Sequence, residues 1–218
     1  MTMQSVAENN KAKIDLPVVG RLAPSPTGAL HLGNARSFLL AWLSVRSRNG
    51  KLIVRMEDLD HPKVKPWARA AALEDLHWLG LDWDAGPDTD ELEFVQSNRK
   101  AIYGEYLQRL LEQKLVYPCV CSRNEIENVQ SAPHRDDQRL IYNGTCRGRF
   151  PDWDSATTVL PEGRLPVWRF KLDTQGTTSF YDEIKGECFA DYQADIGDFA
   201  LARELNGAGY TFAHVVDD

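Results

Sequence analysis

Apolar positions along this chain fall into short unbroken runs and longer runs spaced by three and four. The run from Leu16 to Ala23 predicts a short buried strand. Pro24-Ser25-Pro26-Thr27-Gly28 follows, and two prolines with a glycine predict a turn. An apolar-rich helix is expected from Ala35 to about Arg48, closed by Asn49-Gly50 as a C-cap. Lys51 to Glu57 has branched side chains at its centre and predicts a second strand. Strand, turn, helix and strand in that order describe a βαβ unit, which requires parallel strands and a right-handed crossover.

Within 66–79, Trp67, Ala70, Ala71, Leu73, Leu76 and Leu79 recur at helical spacing. Gly80 ends that helix, and Leu81 to Asp84 reads as a polar turn anchored by Trp83. A helix over 98–114 would carry Ile102, Tyr106, Leu107, Leu110 and Leu111 on one face. Val116 to Ser122 predicts a strand, 127–139 a mobile loop, and Val167 to Leu172 another strand. Two apolar runs follow, Phe199 to Leu201 and Tyr210 to Val216, the second read as a buried strand that meets the end of the chain. No internal repeat is visible.

Composition narrows the class. The 218 residues are 43% hydrophobic and 26% charged, which is ordinary globular usage and excludes disorder for the bulk of the chain. Thirty-two acidic residues against 25 basic ones give a net charge of -7. That balance counts against a dedicated nucleic-acid binder, so RNA would have to be held on a local basic face. The longest apolar run, Phe38 to Leu43, is far short of the roughly 20 residues of a membrane span. Residues 1–13 are polar, lack the apolar core of a signal peptide, and are expected to form a disordered tail. The expectation is a cytoplasmic monomer with no membrane partner.

The four cysteines at 119, 121, 146 and 188 suggest metal binding or packing rather than disulfides in such a compartment. On a strand, Cys119 and Cys121 would point to one face. With Cys146 they would supply three thiolates to a tetrahedral zinc, and His134 or Tyr142 is available as the fourth ligand. Three buried, inert cysteines would carry the same spacing. Cys188 stands apart and reads as a packed hydrophobe.

Two further segments carry chemistry. Ligands of a parallel sheet sit at the carboxyl ends of its strands. The turn Pro24 to Gly28 leads to a helix N-terminus, whose free N–H groups and positive partial charge suit phosphate. His31 lies at that entrance, Gly33 would allow a close backbone approach, and Asn34 would share the helix face with His31. Both side chains can donate hydrogen bonds to phosphate oxygens. An incidental histidine at a helix start is the plainer alternative. The second segment, Arg55 to Asp60, clusters Glu57, Asp58 and Asp60 just past a strand, where they could hold an ammonium group or a ribose. A solvated acidic loop is the alternative there.

Taken together, these stretches resemble a known family. Arg21 to Arg36, containing Pro24-Ser25-Pro26-Thr27-Gly28 and His31-Leu32-Gly33-Asn34, is similar to the first signature of the class I glutamyl-tRNA synthetases. Arg55-Met56-Glu57-Asp58-Leu59-Asp60 and Trp78 to Asp84 resemble their next stretches, in order and at family spacing. Tyr117 to Arg123 with Tyr142-Asn143-Gly144-Thr145-Cys146-Arg147 is more similar to the short branch of the family that glutamylates queuosine in tRNA(Asp). The resemblance runs from about Val18 to Asp218. It implies an α/β fold, a Rossmann-like parallel sheet of class I aminoacyl-tRNA synthetases with an inserted small zinc-bearing subdomain. The implied division is 14–115 for the first half of the catalytic domain, 116–172 for the insertion, and 173–218 for an incomplete return. The implied activity is ATP-dependent activation of glutamate and its transfer to queuosine in the anticodon loop of tRNA(Asp), with magnesium on the ATP. Arg21, Ala23, Ser25, Glu57 and Tyr210 would bind glutamate. Pro24, His31, Gly33 and Asn34 would bind ATP, with His31 and Asn34 catalytic at its phosphates. Cys119, Cys121, Tyr142 and Cys146 would hold zinc.

The family's second, lysine-containing signature loop does not occur in these residues. The expectation is therefore an N-terminal fragment with weak or no adenylate formation. The rival readings are a shortened discriminating glutamyl-tRNA synthetase charging tRNA(Glu), a non-catalytic zinc-bearing tRNA-binding fragment, and a different nucleotidylyl transferase sharing only the His31 to Asn34 helix start. Arg135, Arg139, Arg147, Arg149 and Arg164 form a basic stretch around the cysteines, readable as an RNA contact or as solvated surface.

Overall fold

The computed structural model describes residues 17–59, 62–130, 141–205 and 207–218. The expected tail, Asp60, His134, Arg135, Arg139 and most of the 127–139 loop lie outside the described residues. Contacts divide the chain into two units, one ending at Asn98 and one beginning at Arg99.

In the first unit, β1 (Val19–Leu22) and β2 (Lys51–Val54) pair in parallel, with Arg21 opposite Ile53 and Leu22 opposite Val54. The connection between them is α1 (Leu32–Arg46), so the expected βαβ order is present. The ladder continues past the strands: Arg55 N donates to Leu22 O at 2.9 Å and Glu57 N to Pro24 O at 3.0 Å. Parallel bridges Ile53–Ala85 and Met56–Val95 extend the layer on the other side of β2. The core follows from the helical period. Phe38, Ala41, Trp42 and Val45 face Leu22, Leu52 and Val54, joined by Leu73, Leu76 and Leu81 from the segment of α2 (Ala68–Trp78). Gly20 is required here, because a Cβ would come within 2.2 Å of Val45 Cγ2.

Helix boundaries shift from expectation for local reasons. α1 starts three residues early because His31 caps it. It ends at Arg46, and Asn49, with φ 53°, takes the left-handed position expected of the Asn49-Gly50 pair. Gly50 has a different reason: a Cβ there would meet Val18 O at 2.6 Å. Gly80 closes α2 with φ 74°. The short α3 (Glu91–Phe94) is capped by the Asp90 side chain and runs into the helical turn Gln96–Arg99.

The second unit is antiparallel. After α4 (Lys100–Glu112) comes β3 (Val116–Cys119), then α5 (Arg123–Gln130), α6 (Trp153–Thr157) and β4 (Val167–Phe170). The hairpin of β5 (Thr177–Asp182) and β6 (Gly186–Asp191) precedes β7 (Ala200–Ala202) and α7 (Tyr210–Asp217). β3, β4 and β7 form one sheet with β4 in the middle. On α4 the buried face is Tyr103 and Leu107, whereas Ile102 and Tyr106 are exposed, so the expected stripe is rotated by about a residue. Residues 123–130, half of which were expected as loop, are helical.

The largest correction concerns Tyr210 to Val216, which is helix and not strand. Unbroken apolar runs cannot by themselves distinguish the two. Helical spacing buries Phe212 and Ala213 while Tyr210 and Val215 face outward. Asp217 fixes the end of α7 by accepting from Arg99 Nε and from the Tyr103 hydroxyl, both at 2.9 Å. Among the described residues no helix is long and apolar enough to cross a membrane.

Candidate functional site

The first cluster sits where β1 and β2 end. Arg21 projects from β1, and Glu57 follows β2 with its backbone tied to Pro24. Glu57 is buried, 7% exposed, and Oε1 lies 3.2 Å from Arg55 Nη2 and 3.8 Å from Arg21 Nη1. Arg55 is equally buried, while the Arg21 side chain is one-third exposed. A carboxylate so enclosed keeps its charge only if cations stay close. Arg21 is thus the more exposed cation and Arg55 the buried one, a role the sequence reading did not assign. Ala23 is partly buried, Ser25 is exposed, and Pro24 is buried with its carbonyl accepting from Glu57. Asp58 is not available in the way expected. It accepts from Ser97 N at 2.8 Å and Ser97 Oγ at 2.7 Å, tying this loop to the next helical turn.

The helix start also differs from expectation. His31 is the N-cap of α1, and its Nδ1 accepts from Gly33 N at 3.0 Å. Asn34 returns the contact, its Oδ1 accepting from His31 N at 3.1 Å. The pair forms a reciprocal capping box, with Asn34 N and Ala35 N both donating to His31 O. The N–H groups of residues 33–35 are therefore satisfied internally and form no open cradle. What faces solvent is chemically useful in another way. With Nδ1 accepting, the neutral imidazole carries its proton on Nε2, and Asn34 retains its amide donors. Gly33 is needed for this geometry, because a Cβ would lie 2.8 Å from His31 Cε1. The close approach predicted at Gly33 is made by the histidine ring itself.

The second cluster is in the second unit. The Sγ atoms of Cys119, Cys121 and Cys146 all lie within 4.8 Å of one another. Tyr142 Oη lies 3.3 Å from Cys119 Sγ and 3.5 Å from Cys121 Sγ, and Cys121 and Cys146 Sγ are 3.5 Å apart. β3 ends at Cys119, so Cys121 reaches the group from the following turn and not from the strand face expected. Three sulfurs and one oxygen this close together are a donor set able to hold a metal ion. Burial pushes the Cys121 thiol up to about 12 and raises the Tyr142 phenol, with the neighbouring thiols adding to it. Burial works the same way on Cys146, but hydrogen bonds from the Tyr142 hydroxyl and the Val120 backbone outweigh it and hold that thiol below its ordinary value. The cluster thus favours one thiolate and resists the next, and a bound cation would remove that resistance. Cys188 sits apart on β6, half-buried opposite Phe180.

Beneath this group lies a buried carboxylate that sequence reading missed. Asp198 is 3% exposed and accepts from the Tyr117 hydroxyl, Arg147 Nε at 2.6 Å, Arg147 Nη2 and Leu172 N at 2.9 Å. Burial alone would raise its pKa, yet these donors, Arg147 foremost, hold it below the usual carboxylate value. Of the basic stretch, Arg147, Arg149 and Arg164 are described, and each has a partner on the protein. Arg147 is tied to Asp198 and Asp173, Arg164 donates to Val120 O and faces Glu125, and Arg149 packs over Phe150. Tyr210 is exposed at the start of α7, its ring 3.9 Å from that of His214.

Parallel strands ending in a glutamate–arginine cluster, followed by a histidine-capped helix, put charged groups where open α/β sheets bind their ligands. The chain matches the model of the class I tRNA synthetases for glutamate and glutamine, catalytic domain, over residues 17–218, and it belongs to that family. It is 42% identical to the glutamyl-Q tRNA(Asp) synthetase of Rhodopirellula baltica, covering 92% of this chain and 60% of that protein. A protein of the same name from Nitratidesulfovibrio vulgaris is also 42% identical, with 91% and 61% covered. A glutamate–tRNA ligase of Acidithiobacillus ferrooxidans is 39% identical, with 91% and 41% covered. The chain thus spans about three fifths of the length of the glutamyl-Q relatives. Among solved structures, a glutamate tRNA ligase from Elizabethkingia meningosepticum in complex with its amino acid superposes with a TM-score of 0.73. It is 27% identical, with 93% of this chain and 42% of that one covered.

Proposed function

We propose that this chain carries the glutamate-activating site of a synthetase that transfers glutamate to queuosine in tRNA(Asp). The observation that carries the reading is the Glu57 carboxylate, buried between Arg21 and Arg55 at the carboxyl ends of two parallel strands. Glu57 would receive the amino group of glutamate. Arg21 would grip a carboxylate, for which its forked donors are suited. Ala23 and Ser25 would complete the same wall, and Tyr210 is assigned to glutamate binding as well. ATP, carried with magnesium, would lie at Pro24, Gly33 and the start of α1. His31 Nε2–H and the Asn34 amide would meet its phosphate oxygens as charge shifts during in-line attack. The glutamate carboxylate attacks the α-phosphate, pyrophosphate leaves, and queuosine then displaces AMP from the acyl group. Catalysis on this reading is positioning and charge stabilisation, without a covalent nucleophile on the protein.

Zinc would be held by Cys119, Cys121, Tyr142 and Cys146. With four protein donors it would be a closed structural centre, tying chain segments together and activating no water. We assign 116–172 as the insertion bearing that centre, between catalytic segments 14–115 and 173–218. The preference for queuosine over tRNA(Glu) rests on the Cys-x-Cys and Tyr142-x3-Cys146 pattern and on the higher identity to the glutamyl-Q relatives.

The test is transfer of labelled glutamate, with ATP, to tRNA(Asp) with and without queuosine and to tRNA(Glu). Because the second signature loop does not occur in these residues, only weak labelling is expected, and on queuosine-containing tRNA(Asp) alone. Label on tRNA(Glu) would favour the glutamate–tRNA ligase reading, which the similarity to that group also supports. Glutamate binding followed by calorimetry isolates the amino-acid pocket. Glu57→Gln should weaken it about 10–100-fold, the worth of one charge-assisted hydrogen bond. Unchanged glutamate affinity in that variant would refute the pocket assignment.

A further inference from the structure

Donor atoms reach the cysteine–tyrosine cluster from separate stretches, and one distant residue holds all of them. Asp198 accepts from the Tyr117 hydroxyl on β3, two residues before Cys119. It accepts twice from Arg147, the residue after Cys146. Its backbone carbonyl accepts from Arg169 Nη1 at 3.0 Å, and the Arg169 guanidinium lies 4.0 Å over the Tyr142 ring. Each ligand-bearing stretch is therefore pinned to the same point.

Arg169 adds a second observation. It is 9% exposed on β4, and among the described residues its Nε has no hydrogen-bond partner. The hydrogen bond it does make to Asp198 goes to a carbonyl and not to the carboxylate. A buried cation in such a setting is costly without a nearby negative charge. Three thiolates around a dication leave one net negative charge, and Arg169 faces it across the Tyr142 ring.

We infer that Asp198 and Arg169 are positioning residues for the metal centre, fixing its donors in place and offsetting its charge without touching the ion. The inference rests on the zinc reading above. Outer partners of this kind are typically worth 10–100-fold in metal affinity.

The experiment uses the full 218-residue chain. Zinc affinity is measured by competition with a chromophoric chelator, and thermal midpoints are recorded with zinc and after its removal. Asp198→Asn and Arg169→Leu should each weaken zinc about 10–100-fold and narrow the gap between loaded and stripped midpoints. Arg169→Lys keeps the charge but loses the planar stack, and should fall between them and the unchanged protein. A merely structural role would lower both midpoints together and leave zinc affinity unchanged. That result overturns the inference while the zinc reading stands. An unchanged chain that takes up no zinc overturns both. If Asp198→Asn does not fold, the affinity of Arg169→Lys decides the question.

Discussion

In the unit ending at Asn98, the functional charges sit at strand ends and are fixed by the backbone ladder beside them. Glu57 is placed by its own N–H bonding to Pro24, and His31 by a cap within three residues. In the unit beginning at Arg99, the cysteine–tyrosine group depends on Asp198, which is far from all four donors in sequence. The first arrangement is local, so single changes at its more exposed members, Arg21 and His31, should cost function more than stability. The second is a buried polar network, where one deletion strands several partners at once.

Asp198→Ala should break that contrast most severely. It leaves the Tyr117 hydroxyl and the Arg147 cation without their acceptor. The expected loss is about 2–4 kcal/mol in urea unfolding, somewhat below a fully buried pair because Arg147 keeps some solvent contact. Because the folded-state value of Asp198 is lowered, its stabilisation is present above the unfolded carboxylate range and disappears as pH falls through the folded value. The acid limb of stability against pH should therefore be flatter in the variant. Gly20→Ala comes next. Its Cβ would collide with Val45 in the first core, and overpacking of this type costs about 1–3 kcal/mol.

His31→Ala should lose about 1 kcal/mol, the worth of one N-cap, with a larger effect on ATP binding measured by calorimetry. Gly33→Ala sharpens the point, since its Cβ would push the ring aside and should reproduce the loss with His31 still present. The smallest effect is expected for Arg46→Ala. Arg46 bridges Asp82 and Asp84 at 3.0 and 2.8 Å, but these carboxylates are largely exposed. The cost should stay below about 1 kcal/mol and shrink further in high salt.

Much of the parallel unit was legible because its information is contiguous. The run of branched residues in β2, the proline-rich turn and the spacing of α2 each lie within a window shorter than 20 residues, and period decides them. Even so, the exact use of the turn escaped, because whether His31 caps the helix or points elsewhere is a rotamer choice. The antiparallel unit was harder. An apolar run such as Tyr210 to Val216 fits helix and strand alike until Phe212 and Ala213 find their packing partners. Arg147 read as one of several surface arginines because nothing near it in sequence marks the carboxylate it meets.

By itself, then, the sequence determined the βαβ order, the candidate residues at the carboxyl ends of its strands, and the three cysteines of the second cluster, with His134 and Tyr142 both open as its fourth donor. These follow from spacing and side-chain chemistry, which act over short distances along the chain. The tertiary structure alone decided which charges are buried, which amides remain open at the helix start, and that Asp198 and Arg169 underlie the cysteines. Burial and charge pairing join residues by distance in space, and no pattern of neighbours along the chain records that distance.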